Sequence, residues 1–426
     1  MDAGNATPSQ IFDSLNSMSR TLLLDLDNTL LRNENSVFIP ALIEAFCESA
    51  SDLIDPAEIP AVFLESTRAM ILNTRPDKVL WEVMGEDLSR RSGVDRARLE
   101  QRIYSFYDEI YRTLKGLTGP INGARELVRE AISRGYRIGI ATNPIYPLSA
   151  IRQRLEWADL SNDWFKPDMI TSSERFHFTK PAPAFFSEVM AQMGWPEGEI
   201  IAIGDDLQND IRPAREFGIP AYQAVQGTAE PNADPESSGR GALSDFFDWL
   251  DSTPAEVLTP AFDSPEALEA ILRATPAAFD TTLRNVSGLA LDYRPADAEW
   301  NITEVICHLR DVEREVQLPR IKQVLDETNP LIVGKDTDEW ANTRGYCFQD
   351  PRIAFREFYD SRMETLSWLG SIAPEDWQRP ARHTIFGPTT LLELTSIAAE
   401  HDRLHVSQAW HLDQDHTRAA GETAAG

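Results

Sequence analysis

The stretch Thr21-Leu-Leu-Leu-Asp25-Leu-Asp27-Asn28-Thr29-Leu30 decides how this chain is read. Its first residues have strand character and run directly into two aspartates spaced i, i+2. On a strand that spacing puts both side chains on one side, so two carboxylates gather where the backbone leaves the sheet. Like charges held that close raise a pKa unless a cation or a proton intervenes. The carboxyl end of a strand in an α/β sheet is also where ligands settle. Taken alone, a strand followed by an Asp/Asn turn explains the stretch equally well.

Three downstream stretches share the same logic. Tyr136-Arg-Ile-Gly-Ile-Ala141 ends in Thr142-Asn143, a hydroxyl and an amide at a strand tip. Lys180, in Phe178-Thr-Lys180-Pro-Ala-Pro183, precedes a helix-like segment that begins near Ala184. Ile200-Ile-Ala-Ile-Gly204 ends in Asp205-Asp206, with Asn209-Asp210 following. Brought together, these groups have the chemistry to bind Mg²⁺, hold a phosphate and supply a nucleophile with an acid/base partner.

In this order and at this spacing the motifs resemble the haloacid dehalogenase (HAD) superfamily of phosphohydrolases, over residues 19–250. The resemblance implies a Rossmann-like α/β core in which Asp25 is the nucleophile, forming an aspartyl-phosphate, and Asp27 the acid/base. It places Thr142 and Lys180 on the phosphoryl oxygens, with Asn28 and Asn143 beside the substrate. Mg²⁺ would sit on Asp25, the Asp27 backbone carbonyl and Asp205, with Asp206 and Asp210 supporting those ligands from behind. The Gly-Asp-Asp sequence leaves open which of Asp205 and Asp206 touches the metal. Asp27 separates the chain from the superfamily's dehalogenases, which lack the second aspartate and the metal.

Between the first two motifs, about 34–118, apolar residues recur at helical spacing: Phe38, Leu42 and Phe46, then Ile103, Phe106, Ile110 and Leu114. The insertion is too long for a βα loop, and the resemblance makes it a helical cap over the site. Arg68, Arg75, Lys78 and Trp81 are either substrate-facing cap residues or ordinary surface and packing residues.

After a last helix near Leu243–Leu250, residues 253–263 read as a linker and the pattern changes. Ser264-Pro265, Asn301-Ile302-Thr303-Glu304, Asp350-Pro351 and Thr390-x-x-Glu393 are helix-start signals. They predict four long amphipathic helices over 264–415, an all-α four-helix bundle. Val305, His308, Val312 and Val316 share one face of the second helix. Leu394, Ile397, His401, Leu404, His405 and Gln408 form the stripe of the fourth. An H-x-x-x-H pair with a third inward histidine can bind one divalent metal. Each histidine alone is better read as a core residue; three of the chain's seven pointing inward from facing helices favour the metal.

This half resembles the DinB-like (YfiT-type) bundle family through Trp300-x-x-x-Glu304-x-x-x-His308-Leu, Arg382-His383-x-x-x-Gly387 and Ala399-Glu-His401-Asp-x-x-His405-x-x-Gln408. The resemblance implies zinc or nickel on His308, His401 and His405, and in some relatives transfer of low-molecular-weight thiols. Glu304, Glu400 and Asp402 are candidate acceptors for the histidine N–H groups, and His383, in an expected loop, could line the mouth.

Composition narrows the function. In 426 residues, Lys+Arg 40 against Asp+Glu 68 gives a net charge of −28, which repels nucleic acid. Cys47, Cys307 and Cys347 are too scattered for a disulfide framework or zinc knuckle. Residues 1–18 and 416–426 read as disordered tails, and no apolar run reaches membrane-spanning length. The expectation is a cytoplasmic enzyme with Mg²⁺-dependent phosphomonoesterase activity on a small phosphorylated metabolite. The alternatives place the main chemistry in the bundle, as a thiol transferase or metal-dependent hydrolase, or make the bundle a homodimerisation module.

Overall fold

Leu22, Leu23 and Leu24 of β1 (Arg20–Leu24) are buried on both faces, at 0–1% exposure, as a strand inside a parallel sheet must be. The computed structural model describes residues 20–226, 237–286, 288–296 and 299–425. The expected tail over 1–18 lies outside them. After β1 the chain makes a short antiparallel ribbon, β2 (Leu31–Asn33) with β3 (Thr118–Pro120), Leu31 opposite Pro120. The ribbon carries the cap: α1 (Asn35–Ala50), α2 (Ile59–Ile71), α3 (Leu80–Ser92) and α4 (Arg96–Ser105), then a π turn and a 3₁₀ segment to Leu117. Phe38, Leu42, Phe46, Ile103, Phe106 and Leu114 are buried at the expected spacing.

The core continues with α5 (Ala124–Ser133), β4 (Arg137–Ile140), α6 (Leu148–Trp157), β5 (Met169–Ile170), α7 (Pro183–Gln192), β6 (Glu199–Gly204), α8 (Arg212–Phe217), β7 (Ala221–Ala224) and β8 (Gly239–Gly241). The sheet order is β5-β4-β1-β6-β7-β8, every pair parallel. Leu24 faces Ile140 on one side and Ile203 on the other. The strand order reverses at β1, so a crevice opens at its carboxyl end.

The segment read as a linker is docked on the core. After α9 (Phe246–Ser252), the short α10 (Ala255–Leu258) buries Leu258. Ala261 N then donates to Gly218 O at 2.9 Å. Gly218 has φ +97°, and a Cβ there would lie 1.8 Å from Ala261 O, so only glycine permits the contact.

The bundle helices begin where their caps predict. They are α11 (Pro265–Asn285), α12 (Ile302–Val312) running through a π turn at Glu313–Gln317 into α13 (Leu318–Asp326), α14 (Pro351–Leu369) and α15 (Leu391–Ala425). Ser264 accepts from Ala267 N, Asn301 and Glu304 close a capping box, and Asp350 accepts from Arg352 N and Ile353 N. Thr390 and Glu393 bond each other's backbone N–H.

Two expectations change here. Residues 416–425 are the last turns of α15, with four alanines and no proline to stop the helix, rather than a tail. A three-stranded sheet, β9 (Leu331–Ile332), β10 (Pro380–His383) and β11 (Gly387–Thr390), joins the helices. His383 therefore ends a strand, and its Nδ1 accepts from Ile385 N at 3.2 Å, closing the hairpin turn.

The bundle is not a separate body. α11 lies along α7, whose residues Ala184 to Ala191 are all buried because one side faces the sheet and the other the bundle. Within the bundle, Arg362 on α14 is 1% exposed and pairs with Glu313 and Asp402, each as deeply buried. Asp402 takes the inward position on α15 while Leu404, expected there, is 62% exposed. The Arg362→Met variant would leave two buried carboxylates unpaired and should lose about 3–5 kcal/mol. Urea unfolding at neutral pH measures it; a loss under about 1 kcal/mol would mean that the carboxylates find other partners.

Candidate functional site

The first site forms at the carboxyl ends of β1, β4 and β6. Asp25 is still in the ladder, its N–H donating to Ile203 O at 2.9 Å, and beyond it the chain turns so that Leu30 and Leu31 donate back to Leu26 O. Lys180 Nζ, 3% exposed, reaches Asp25 Oδ1 at 2.7 Å and Asp210 Oδ1 at 2.5 Å. Asp25, Asp205 and Asp210 each offer an oxygen within 4.8 Å of the others. Gly204 explains how Asp210 gets there: a Cβ on Gly204 would lie 2.3 Å from the Asp210 carboxyl carbon.

These carboxylates outnumber the one ammonium among them. Burial, then the charges of Asp25, Asp210 and Asp206, push Asp205 up to about 7. Burial and then Asp25 push Asp210 up to about 7 against the pull of Lys180. Asp25 is likewise raised by burial, with Lys180 opposing. Three hard oxygen donors that resist ionising together are a donor set that fits Mg²⁺.

The other expected residues divide. Thr142 and Asn143 follow β4 next to Asp25: Ala141 N donates to Leu24 O at 2.7 Å, and the Asn143 side-chain oxygen is buried without a partner. Asp206 is turned away from the carboxylate cluster, capping the turn after β6 by accepting from Gln208 N at 2.7 Å and Asn209 N at 2.9 Å. Asn28 adopts φ +61° and its side-chain oxygen accepts from Asn33 N at 2.9 Å, fixing the ribbon turn. Asp27 does not join the cluster, because Arg154 on α6 claims its Oδ1. Arg154 is fully buried, also donates to Tyr111 Oη at 2.7 Å and packs over Phe38 and Tyr146. The sequence reading missed Arg154; an arginine between Ile151 and Leu155 on an apolar helix face was its one signal. Of the cap candidates, Arg75 pairs with Asp77, Lys78 with Glu86, and Trp81 packs at a tilt against Tyr104.

The second site lies inside the bundle. His308 Nε2 is 3.1 Å from His401 Nε2, and His308, His401 and His405 each offer a nitrogen within 4.8 Å of the others. Trp300 lies parallel to the His405 ring at 5.9 Å. His405 Nδ1 meets Gln408 Oε1 at 3.0 Å, leaving Nε2 for the cluster. His401 Nδ1 lies 3.9 Å from Asp402. Burial, then its histidine neighbours, hold His308 down to about 3 and His405 down to about 4. Convergent neutral imidazoles fit a borderline transition metal. Glu304 instead closes its helix cap and pairs with Arg294, and Glu400 pairs with Arg403, so neither orients a histidine.

Comparison with known proteins agrees with both units. Residues 20–218 match the family described as haloacid dehalogenase-like hydrolase, and residues 271–409 match the DinB superfamily. Glyceraldehyde 3-phosphate phosphatase of Methanocaldococcus jannaschii is 25% identical over 222 residues, 52% of this chain and 91% of its own. The uncharacterized protein YuaE of Bacillus subtilis is 25% identical over 150 residues, 32% of this chain and 91% of its own. A HAD phosphatase structure from Thermococcus onnurineus is 18% identical, covers 55% of this chain and 98% of its own, and has a TM-score of 0.36. The chain is thus a hydrolase with a HAD-like domain followed by a DinB superfamily domain.

The raised carboxylates make a test. With Asp205 and Asp210 near 7 when folded and near 3.8 when unfolded, the folded state holds extra protons between those values. By linkage, that cluster loses stability as pH rises through this window, and a bound cation takes the protons' place. Mg²⁺ should therefore raise the Tm more at about pH 8 than at about pH 5.5. Asp205→Asn should abolish the difference; an equal Mg²⁺ effect at both values would place the cation elsewhere.

Proposed function

We propose that the HAD-like domain hydrolyses a small phosphate monoester with Mg²⁺ through an aspartyl-phosphate on Asp25, and that the DinB superfamily domain holds a divalent transition metal. The observation that carries the first part is Lys180 Nζ within 2.7 Å of Asp25 Oδ1, inside a three-carboxylate cluster at a sheet switch point. An Asp25 oxygen attacks phosphorus as the ester P–O bond breaks, and Asp27 passes a proton to the departing oxygen. Asp27 then takes a proton from water, whose oxygen attacks phosphorus and frees Asp25 with release of phosphate. Lys180 offsets charge on the phosphoryl oxygens, and Thr142 and Asn143 are placed to donate to them. Arg154, bonded to Asp27, holds that carboxylate until substrate draws it over. Asp25 and Asp205 are the proposed Mg²⁺ ligands, with the Asp27 carbonyl and Asp210 beside them; when bound, the ion supplies positive charge for the developing phosphorane. The M. jannaschii relative's name supports a phosphorylated small molecule as substrate.

A panel of phosphate monoesters tests the reading. Asp25→Asn should lower kcat at least about a hundredfold, roughly 2.7 kcal/mol of barrier; a loss under tenfold would sink the nucleophile assignment. Asp27→Asn should harm alkyl phosphates more than an aryl phosphate, whose leaving group needs less protonation.

In the bundle, the proposed ligands are His308, His401 and His405, with zinc or nickel as the metal. The convergent imidazoles beneath Trp300 favour a second reading, in which this metal carries its own hydrolase or thiol-transfer chemistry. Because burial keeps His308 and His405 neutral below the ordinary histidine value, metal should be lost only at lower pH than from exposed imidazoles. The His401→Ala/His405→Ala double variant should lose the metal and keep its phosphatase rate. Unchanged metal content would remove these ligands from consideration.

A further inference from the structure

The segment 173–180, which ends in Lys180, is bonded from three sides. From the cap, Leu80 N donates to Phe176 O and Trp81 N to Ser173 O, both at 2.8 Å. Asn73 Nδ2 donates to His177 O at 2.9 Å, and Thr179 Oγ1 to Ile71 O at 3.0 Å. From the core, Glu188 of α7 accepts the N–H groups of His177 at 3.0 Å and Phe178 at 3.2 Å. From the bundle, Thr281 Oγ1 of α11 donates to Arg175 O at 2.9 Å.

His177 is the meeting point. It is fully buried, with Nδ1 2.7 Å from Glu188 Oε1 and Nε2 2.9 Å from Asp280 Oδ2 on α11. A neutral imidazole has one N–H, so only the imidazolium satisfies both carboxylates. The Asp280 oxygen also accepts from Arg284, one turn along α11. Arg284 continues into the cap, to Glu82 Oε1 at 2.8 Å and Asp77 O at 3.3 Å. Arg356 of α14 meets Asp77 Oδ2 at 3.3 Å. The groups around His177 are thus Glu188 from the core, Asp280 and Arg284 from the bundle, and, through Arg284, Glu82 and Asp77 from the cap.

We infer that the bundle is part of the phosphatase apparatus: Asp280, acting through His177, fixes the segment that sets Lys180 against Asp25, while Arg284 and Arg356 tie the cap to the same helices. None of these residues touches the reacting groups, so they are positioning residues. The inference rests on the phosphatase reading for its catalytic half. Burial alone would lower the pKa of His177, but Glu188 and Asp280 together outweigh that cost and raise it to about 9. A raised histidine contributes its hold in full below its unfolded value, near 6.5, and loses it as pH rises through about 9.

Full-length Asp280→Asn and Asp280→Glu test the inference with p-nitrophenyl phosphate and Mg²⁺, beside amide hydrogen exchange; Thr281→Val is a milder second lesion. Asp280→Asn should lower kcat about tenfold or more with KM nearly unchanged. It should also shift the alkaline fall of kcat to lower pH and speed exchange across 173–180 and 71–81 but not in β1. Asp280→Glu should recover part of the rate. Unchanged exchange in 173–180 would overturn the inference, as would faster exchange with an unchanged kcat. If the wild-type chain turns over no phosphomonoester, the phosphatase reading falls, and exchange still decides whether Asp280 holds the segment.

Discussion

An ammonium held between two carboxylates, Lys180 between Asp25 and Asp210, is the contact on which the fold converges. Burying these charges is expensive unless the geometry is fixed in advance. The fixing comes from separate parts of the chain: a central strand that delivers Asp25, a glycine that lets Asp210 fold back over β6, and a segment that brings Lys180 in from the side. That segment has no regular structure, so its shape depends on what surrounds it. Cap, core and bundle all supply bonds to it, which makes a site of the HAD-like domain depend on helices of another family.

The two clusters are opposite solutions to burying like groups together. Among the strand tips, burial drives the carboxyl groups toward the protonated form. Among the bundle helices, burial drives the imidazoles toward the neutral form. Both make charge scarce, and both are relieved by a cation, but of different kinds. Oxygen donors beside a lysine suit a hard ion that neutralises phosphate; nitrogen donors under an indole suit a softer one. The sites therefore need not compete for one metal.

What could be read from the sequence was local. Each strand-tip motif and each helix cap is a signal within about five residues, and the backbone rules that link such signals to structure are short-ranged. The strand Thr21–Leu24, the four bundle starts and the i, i+4 histidines were legible for that reason. The side taken by the Asp27 carboxylate was not legible because the i, i+2 rule holds only on a strand, and the strand ends at Leu24. Arg154 then claims Asp27 from 127 positions away, and Asp280 meets His177 across 103. No local pattern encodes such pairs; a charged residue on an apolar helix face marks one partner and says nothing of the other. The three short strands of the bundle were missed because two of them have only four residues and one only two.

The docking of Ala261 on Gly218 has a further consequence. A tether between independent modules can be cut, lengthened or exchanged, and evolution can shuffle what lies on either side. Here the joining segment is hydrogen-bonded to α8's end and followed at once by α11, which covers the outer side of α7. A fragment starting near residue 260 would carry a bare apolar helix face, and one stopping there would leave Ala184, Ala191 and their neighbours on α7 without their cover. The boundary visible in family membership is not a boundary in cohesion, and the chain should melt in one cooperative step instead of two.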